Sequence, residues 1–243
     1  MSAGLAPSSR PSAVVSAADP QYRYERKFVV QGLSLREVEA GVKSNPALFR
    51  TEFPERAVNN LYFDSFNLRH YFGNLDGLRD RTKVRIRWYG PLFGRVEKPV
   101  LELKIKHGLL GRKAAYPLPS FPLAEDYAPP LLSGDGLARA LPEELKPHLT
   151  GLEPTLLNRY LRHYYRSADR RFRLTIDFAL EFYGVRRHQQ GFVRRASRPH
   201  LIVLELKYSG SDPEFADRVT TAMPFRLTRM SKYVVGVEAV HDH

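Results

Sequence analysis

The chain has 243 residues, 43% of them apolar and including 14 Phe and 13 Tyr, enough for a substantial core. Lys and Arg number 38 against 26 Asp and Glu, a formal net charge of +12, which points to a partner rich in negative charge: nucleic acid, phosphorylated small molecules, other polyanions or an anionic membrane surface. The absence of cysteine excludes disulfides and thiolate metal sites, so any metal is expected to be a hard cation such as Mg2+ or Mn2+ held by carboxylates, histidines, water or phosphates.

Residues 1–20 are mostly Ser, Ala and Pro and cannot repay the entropy of ordering, so they read as a flexible tail ahead of a single domain over residues 21–243. No apolar run approaches the roughly 20 residues of a membrane span, and the N-terminal stretch has neither a cationic n-region nor an apolar h-region. The expected location is the cytoplasm.

The first element is a strand, RYERKFVV, with Arg23, Glu25 and Lys27 on one face. SLREVEAGVKSN follows as a helix, with Ser34 and Glu37 spaced as a capping box and Leu35, Val38 and Val42 at helical spacing. Phe66–Leu75 gives a shorter helix signal. KVRIRWYG and VLELKIK are strands that place Lys83, Arg85 and Arg87, then Glu102, Lys104 and Lys106, on single faces. The Pro-rich stretch Pro117–Leu132 reads as a surface connection, and Gly136–Leu145 as a helix interrupted by Pro142. Three more strands follow: NRYLRHYYR (Asn158, Tyr160, Arg162 and Tyr164 together), FRLTIDFAL (Arg173, Thr175 and Asp177) and VLELKY (Glu205 and Lys207). Between the last two, Arg186, Arg187, Arg194, Arg195 and Arg198 surround His188 and Gln189 as a basic surface loop. A last helix signal covers Asp212–Met223, and the remainder reads mainly as strand.

One strand of this kind is ordinarily amphipathic with a solvated charged face. Six of them, mixing Glu with Lys and Arg and using little Ser, Thr or Gln, favour another arrangement. In it an antiparallel sheet closes into a barrel, its apolar face packs outward against helices, and its charged face surrounds a wet lumen. Each ion taken out of water loses several kcal/mol of solvation unless paired, so the surplus cations favour a polyanionic occupant. Arg, with its fixed fork of donors, suits phosphate oxygens. The eight His show no HxxxH or similar spacing, which argues against zinc.

YERKF, NLYFDS (Asn60–Ser65), KVRIRWYG, LELKIK, YLRHYY followed by RLTID, VLELKY and MSKYVVGV (Met230–Val237) resemble, in the same order, the polyphosphate polymerase domain of the vacuolar transporter chaperone (VTC) family. That family belongs to the triphosphate tunnel metalloenzymes, within the wider CYTH-like superfamily. The resemblance implies an α+β fold: an antiparallel β-barrel, the triphosphate tunnel, with a charged lumen and helices outside. It implies transfer of the terminal phosphate of ATP to inorganic polyphosphate with a divalent metal, Mn2+ or Mg2+. By matching motifs, Lys27, Arg85, Arg87, Lys104, Arg162 and Lys232 are the expected catalytic and phosphate-binding residues, with Ser231 assisting at the phosphate. Glu205 is the expected metal ligand and Glu25 a second metal or network residue.

The superfamily's first strand carries Glu-x-Glu-x-Lys where this chain has Arg23, Glu25 and Lys27, so one metal carboxylate is replaced by a cation. That departure weakens a two-metal hydrolytic site and fits the polymerase branch. The sequence holds no inositol-phosphate-sensing domain or membrane spans of the eukaryotic complexes, so the expectation is a stand-alone soluble form, with a membrane protein as a partner for product. Two other readings stand beside the polymerase: a hydrolase of tripolyphosphate or nucleoside triphosphates, and a non-catalytic polyphosphate binder. Nucleic acid is disfavoured, because Trp88 and Phe28 fall on faces opposite the cations. Asp177 is either a ligand or a holder of Arg, and Glu102 with Lys104 and Glu205 with Lys207 are candidate same-face ion pairs.

Overall fold

The computed structural model describes residues 24–107, 110–126, 141–185, 191–209 and 212–241. The expected tail lies outside them, as do Gly136–Ala140 of the third helix signal and Arg186, Arg187, His188 and Gln189 of the basic loop.

All six charged-face segments are strands. They are β1 (Tyr24–Val30), β3 (Arg81–Tyr89), β5 (Val100–His107), β8 (Leu152–Arg166), β9 (Phe172–Val185) and β11 (Ile202–Tyr208). They are joined by β2 (Arg50–Ser65), β6 (Leu110–Pro117) and β10 (Phe192–Arg198), and β4 (Gly94–Val96) pairs with β7 (Phe121–Leu123) as a separate ribbon. The helices are α1 (Leu35–Lys43), α2 (Arg69–Leu75), α3 (Lys146–Leu149), α4 (Pro213–Thr221) and α5 (Lys232–His241). The capping box forms as read: Ser34 Oγ accepts from the Glu37 N–H and the Ser34 N–H donates to Glu37 Oε2. Asp212 caps α4, with Pro213 in its first turn.

The main sheet is antiparallel, with strand order β1-β11-β9-β8-β2-β3-β5-β6 and β10 alongside β9. It is not the expected closed barrel: among the described residues β1 and β6 end the path and do not pair. The sheet is nevertheless strongly curled. In a flat sheet β1 and β3, with four strands between them, would stand about 24 Å apart. Yet Lys27 of β1 donates to the Met230 carbonyl at 3.4 Å and Lys83 of β3 donates to Ser231 Oγ at 2.8 Å, so side chains from both strands reach consecutive residues. The segment holding those residues also covers the free edge of β1, where the Thr228 N–H bonds the Lys27 carbonyl. Chain and side chains thus bridge the mouth of the curl, where a barrel would use a strand ladder.

The outer, convex face carries the apolar alternation. Phe28, Leu174, Ile176, Leu204 and Leu206 pack with Val38 and Val42 of α1 and Ala216 and Val219 of α4. Ile86, Trp88, Leu101 and Leu103 form a second outer core with the β4–β7 ribbon and Leu145 and Leu149. Helices were expected only outside, and α5 corrects this. Its Tyr233, Val237 and Val240 pack on Val58, Tyr62, Leu156, Tyr160, Leu180, Phe182 and Val203. Tyr62 stands opposite Arg85 in register, and Val203 shares a face with Glu205, so α5 fills one end of the charged face.

A bulge makes room for it. Between Leu161↔Phe178 and Arg159↔Glu181 the β8–β9 register shifts, and Ala179 adopts φ +51°. Before the bulge Asp177 faces the concave side and Ile176 the outer core; after it Leu180 and Phe182 face α5, and Tyr183 the outer core. One strand therefore contributes charge at one end and apolar surface at the other.

Gly236 sets how closely α5 approaches. A Cβ there would lie 2.5 Å from both Leu156 Cδ2 and Phe182 Cδ1, on side chains that are themselves fully buried. Gly236→Ala gains about 1 kcal/mol of helix propensity but suffers overpacking of about 1–3 kcal/mol. The expected net result is a lower midpoint in urea unfolding.

Candidate functional site

The concave face is built from alternate residues of eight strands, β1, β2, β3, β5, β6, β8, β9 and β11, plus the N-terminus of α5. Two carboxylate-centred clusters organise it. In the first, Asp177 on β9 is fully buried and accepts from Arg162 Nη2 on β8 at 2.7 Å while pairing with Lys232 Nζ at 2.6 Å. Arg162 Nε donates to the other carboxylate oxygen. Asp177 therefore holds Arg162, one of the two roles read from the sequence, and Lys232 with it. Glu205, adjacent on β11, lies 3.3 Å from Lys27 and 3.9 Å from both Lys232 and Lys207. Glu25 reaches the same Lys27 ammonium at 3.3 Å.

In the second cluster Glu102 on β5 takes Arg85 at 2.6 Å, Arg87 at 3.3 Å and Lys113 at 3.6 Å. Its partners are thus Arg85, Arg87 and Lys113, whereas the same-face pair suggested by sequence was with Lys104. Arg87 Nε is fixed by Asn60 Oδ1, which Asn158 supports in turn. Tyr160 lies beneath the first cluster, its ring 4.9 Å from Lys232 Nζ and 5.3 Å from the Arg162 guanidinium carbon.

All nine residues expected from the sequence lie on this face. Lys27, Glu25, Glu205, Arg162 and Lys232 fall in or beside the first cluster, Arg85 and Arg87 in the second, and Ser231 at the mouth beside Lys83. Among the described residues Lys104 makes no ion pair, but it stands opposite Lys83 and Lys113 in register, within the fields of Glu25 and Glu205. Sequence reasoning left out Lys83 and Lys113 and assigned no role to Asp64. Lys83 was visible as a same-face residue of KVRIRWYG; Lys113 becomes visible only once β6 is placed. Asp64 accepts from the backbone N–H groups of His70 and Tyr71 and from the Tyr233 hydroxyl, fixing α2 and α5 together. Only its place in NLYFDS signalled it.

The electrostatics follow the pairing. Burial raises the Glu102 carboxyl, but Arg85, Arg87 and Lys113 outweigh it and hold it well below the usual carboxylate range. Burial likewise raises Glu205 and Asp177, and neighbouring cations reverse both. Burial lowers Lys27 while Glu205 and Glu25 raise it further, so it stays charged. Lys83 and Lys104 go the other way: burial lowers both, and for Lys83 the nearby Lys27, Arg85, Lys104 and Lys232 add to the effect. Cations outnumber carboxylates here, and the surplus is concentrated where Lys83, Lys104 and Lys113 line up across β3, β5 and β6. Buried Thr175 Oγ1, opposite Glu205 in register, and Tyr164 OH have no hydrogen-bond partner among the described residues, so the face also offers neutral polar groups to a ligand or water.

A cation-lined concave face with buffered carboxylates is suited to a multiply charged anion. The VTC domain family model matches residues 22–241. The chain belongs to the VTC domain family. No curated relative matches the sequence. Among solved structures, this VTC domain is similar to a putative adenylate cyclase from Vibrio parahaemolyticus, at 12% identity over 88% of this chain and 99% of that one, TM-score 0.47. It is similar to the PH1819 protein from Pyrococcus horikoshii OT3 at 13% identity over 88% and 99%, TM-score 0.46. A putative adenylyl cyclase from Hippeastrum, described as having a dominant triphosphatase activity, is similar at 17% identity over 87% and 94%, TM-score 0.44. No helix among the described residues of this VTC domain is long and apolar enough to cross a membrane.

Glu25 and Glu205 converge on one ammonium, so they present a two-carboxylate point that already takes a cation. Among the described residues no third Asp, Glu or His joins them in a metal-binding group. Two carboxylates with phosphate oxygens and water completing the shell is a donor set that suits Mg2+ or Mn2+.

Glu102 gives a test by pH. Its lowered pKa contributes stability that is present above the ordinary carboxylate range and is lost as pH falls through the folded-state value. Glu102→Gln leaves Arg85 and Arg87 without their shared carboxylate, at a cost of about 3 kcal/mol at pH 7. Thermal unfolding across pH 3–7 is expected to show the gap between variant and wild type narrowing below about pH 4.

Proposed function

We propose that this protein is a metal-dependent phosphoryl transferase that binds ATP by its triphosphate on the concave face and extends inorganic polyphosphate. Family membership supports an enzyme acting on triphosphates. The observation that carries the reading is the surplus of cations around Asp177, Glu205 and Glu102, which needs several negative charges in one ligand.

Lys27, Arg85, Arg87, Lys104, Arg162 and Lys232 bind the phosphates. Arg85 and Arg162 have part of their forks fixed by Glu102 and Asp177, so they are held in place before substrate arrives. Glu205, with Glu25, would hold the divalent metal, which supplies neutralisation of phosphate charge. The acceptor is the terminal phosphate of a growing chain, already anionic near neutral pH, so transfer to it needs no strong general base. Ser231 lies beside the phosphates at the N-terminus of α5. The product is handed to solvent or to a membrane-protein partner, and the working location is the cytoplasm.

Hydrolysis is the second reading, because water in the acceptor position uses the same cations. The replacement of the first motif carboxylate by Arg23 favours transfer.

Incubation with ATP and Mn2+, read by gel for long polyphosphate and in parallel for free phosphate, separates the two. Long chains from the wild type, with rates reduced about 10²–10³-fold in Arg85→Ala and lost in Glu205→Ala, are the expected result. Free phosphate without chains would instead assign a triphosphatase.

A further inference from the structure

Lys83 is set apart from the other cations of the concave face. Arg85, Arg87, Arg162, Lys27, Lys113 and Lys232 each touch a carboxylate, whereas the contact made by Lys83 Nζ is with Ser231 Oγ at 2.8 Å. Lys104 faces it directly across the β3–β5 ladder, and Lys27 reaches the carbonyl of Met230, the residue before Ser231. Lys232, the residue after it, reaches into the Asp177 cluster. The hydroxyl of Ser231 therefore lies among the cations assigned above to the triphosphate, with a lysine amine in hydrogen-bonding contact.

A serine and a lysine in this relation are the parts of an activated nucleophile: a hydroxyl, a proton acceptor within reach, and surroundings that keep the acceptor in place. We propose that Ser231 is a phosphoryl acceptor, taking the terminal phosphate of a bound triphosphate with Lys83 as its general base. In the step, the Ser231 Oγ–phosphorus bond forms as the bond from that phosphorus to its bridging oxygen breaks. The diphosphate leaves with the electron pair, and the serine proton passes to Lys83 Nζ. Burial, and then Lys27, Arg85, Lys104 and Lys232 around it, lower Lys83 from the ordinary lysine value, which favours release of the proton it shares with Ser231 Oγ and so the amine form that accepts the serine proton. After transfer the new ammonium stands against a phosphoserine dianion, and the repulsion among these cations is relieved by a fixed counter-charge.

The proposal rests on the triphosphate reading, and one experiment separates the two. The full chain is incubated with γ-labelled ATP and Mn2+, quenched in acid and mapped by mass spectrometry, with ATP binding measured by calorimetry on the same preparation. The expected result is phosphoserine at position 231 in the wild type, no label there in Ser231→Ala, and phosphothreonine in Ser231→Thr, which keeps the hydroxyl. Lys83→Met, which keeps the aliphatic stem, is expected to slow labelling by about 10²–10⁴-fold. Far-UV circular dichroism and thermal unfolding matching the wild type show that Lys83→Met and Ser231→Ala are folded. A wild type that binds ATP but leaves Ser231 unlabelled overturns this proposal alone, and labelling of Lys83→Met at the wild-type rate overturns the role of Lys83. A wild type that neither binds ATP nor becomes labelled overturns the triphosphate reading as well.

Discussion

The contact on which the concave face depends is the one between Asp177 and its two cations. Its carboxylate is fully buried on β9, takes Arg162 from β8, and takes Lys232 from the first residue of α5. A buried carboxylate loses several kcal/mol of solvation, and two cations at hydrogen-bonding distance offset that loss while leaving the group one positive charge in surplus. Because Lys232 belongs to α5, the same ion pair fixes the helix end, and with it Ser231 and Met230 across the mouth of the curl. Gly236 and Asp64 act on the rest of the helix: one lets it approach Leu156 and Phe182, the other holds Tyr233. The position of the cations of the concave face is thus tied to the packing of a helix of 10 residues.

The strands were legible because their signal is purely local. A charge every second residue in β1, β3, β5, β8, β9 and β11 needs no knowledge of neighbours, and the apolar alternates sit in the outer cores as the period requires. Closure was not legible, because hydrogen bonding between the first and last strand of a sheet leaves no mark on the alternation within either. The chain instead bridges the mouth with Met230 and Ser231. Nor was α5: KYVVGVEAV is rich in β-branched residues and reads as strand by propensity, and only the apolar pocket made by Tyr160, Phe182 and Val203 selects a helix there.

The β9 bulge shows why a two-residue period cannot be carried across a whole strand. Had alternation continued past Asp177, Glu181 and Tyr183 would lie under α5; instead Tyr183 joins the outer core and Glu181 pairs with Arg195. Ala179, at φ +51°, is the residue that absorbs the change, and its small side chain limits the cost of the left-handed conformation. For the site, motif matching picked out six cations and two carboxylates, which the fold brings to one face, seven of them on strands and Lys232 on α5. It assigned no role to Lys83, whose distinction is a partner from a distant segment, and the alternation offered Glu102 only Lys104, whereas its partners lie on β3 and β6.

The lysine row across β3, β5 and β6 gives the charge surplus an energetic meaning. Like charges directly opposite on neighbouring strands destabilise a sheet, and Lys83, Lys104 and Lys113 stand opposite one another in two successive ladders. Hydrophobic packing of Leu101, Leu103 and Ala114 on the other face keeps those strands paired against the repulsion. An anion bound on the concave face removes the repulsion while leaving that packing untouched, so part of its binding free energy is strain already present in the free protein. The same reasoning sets the order of the face: carboxylates fix Arg85, Arg87 and Arg162, while Lys83 and Lys104, with no carboxylate in contact among the described residues, stand where a bound anion would supply the charge.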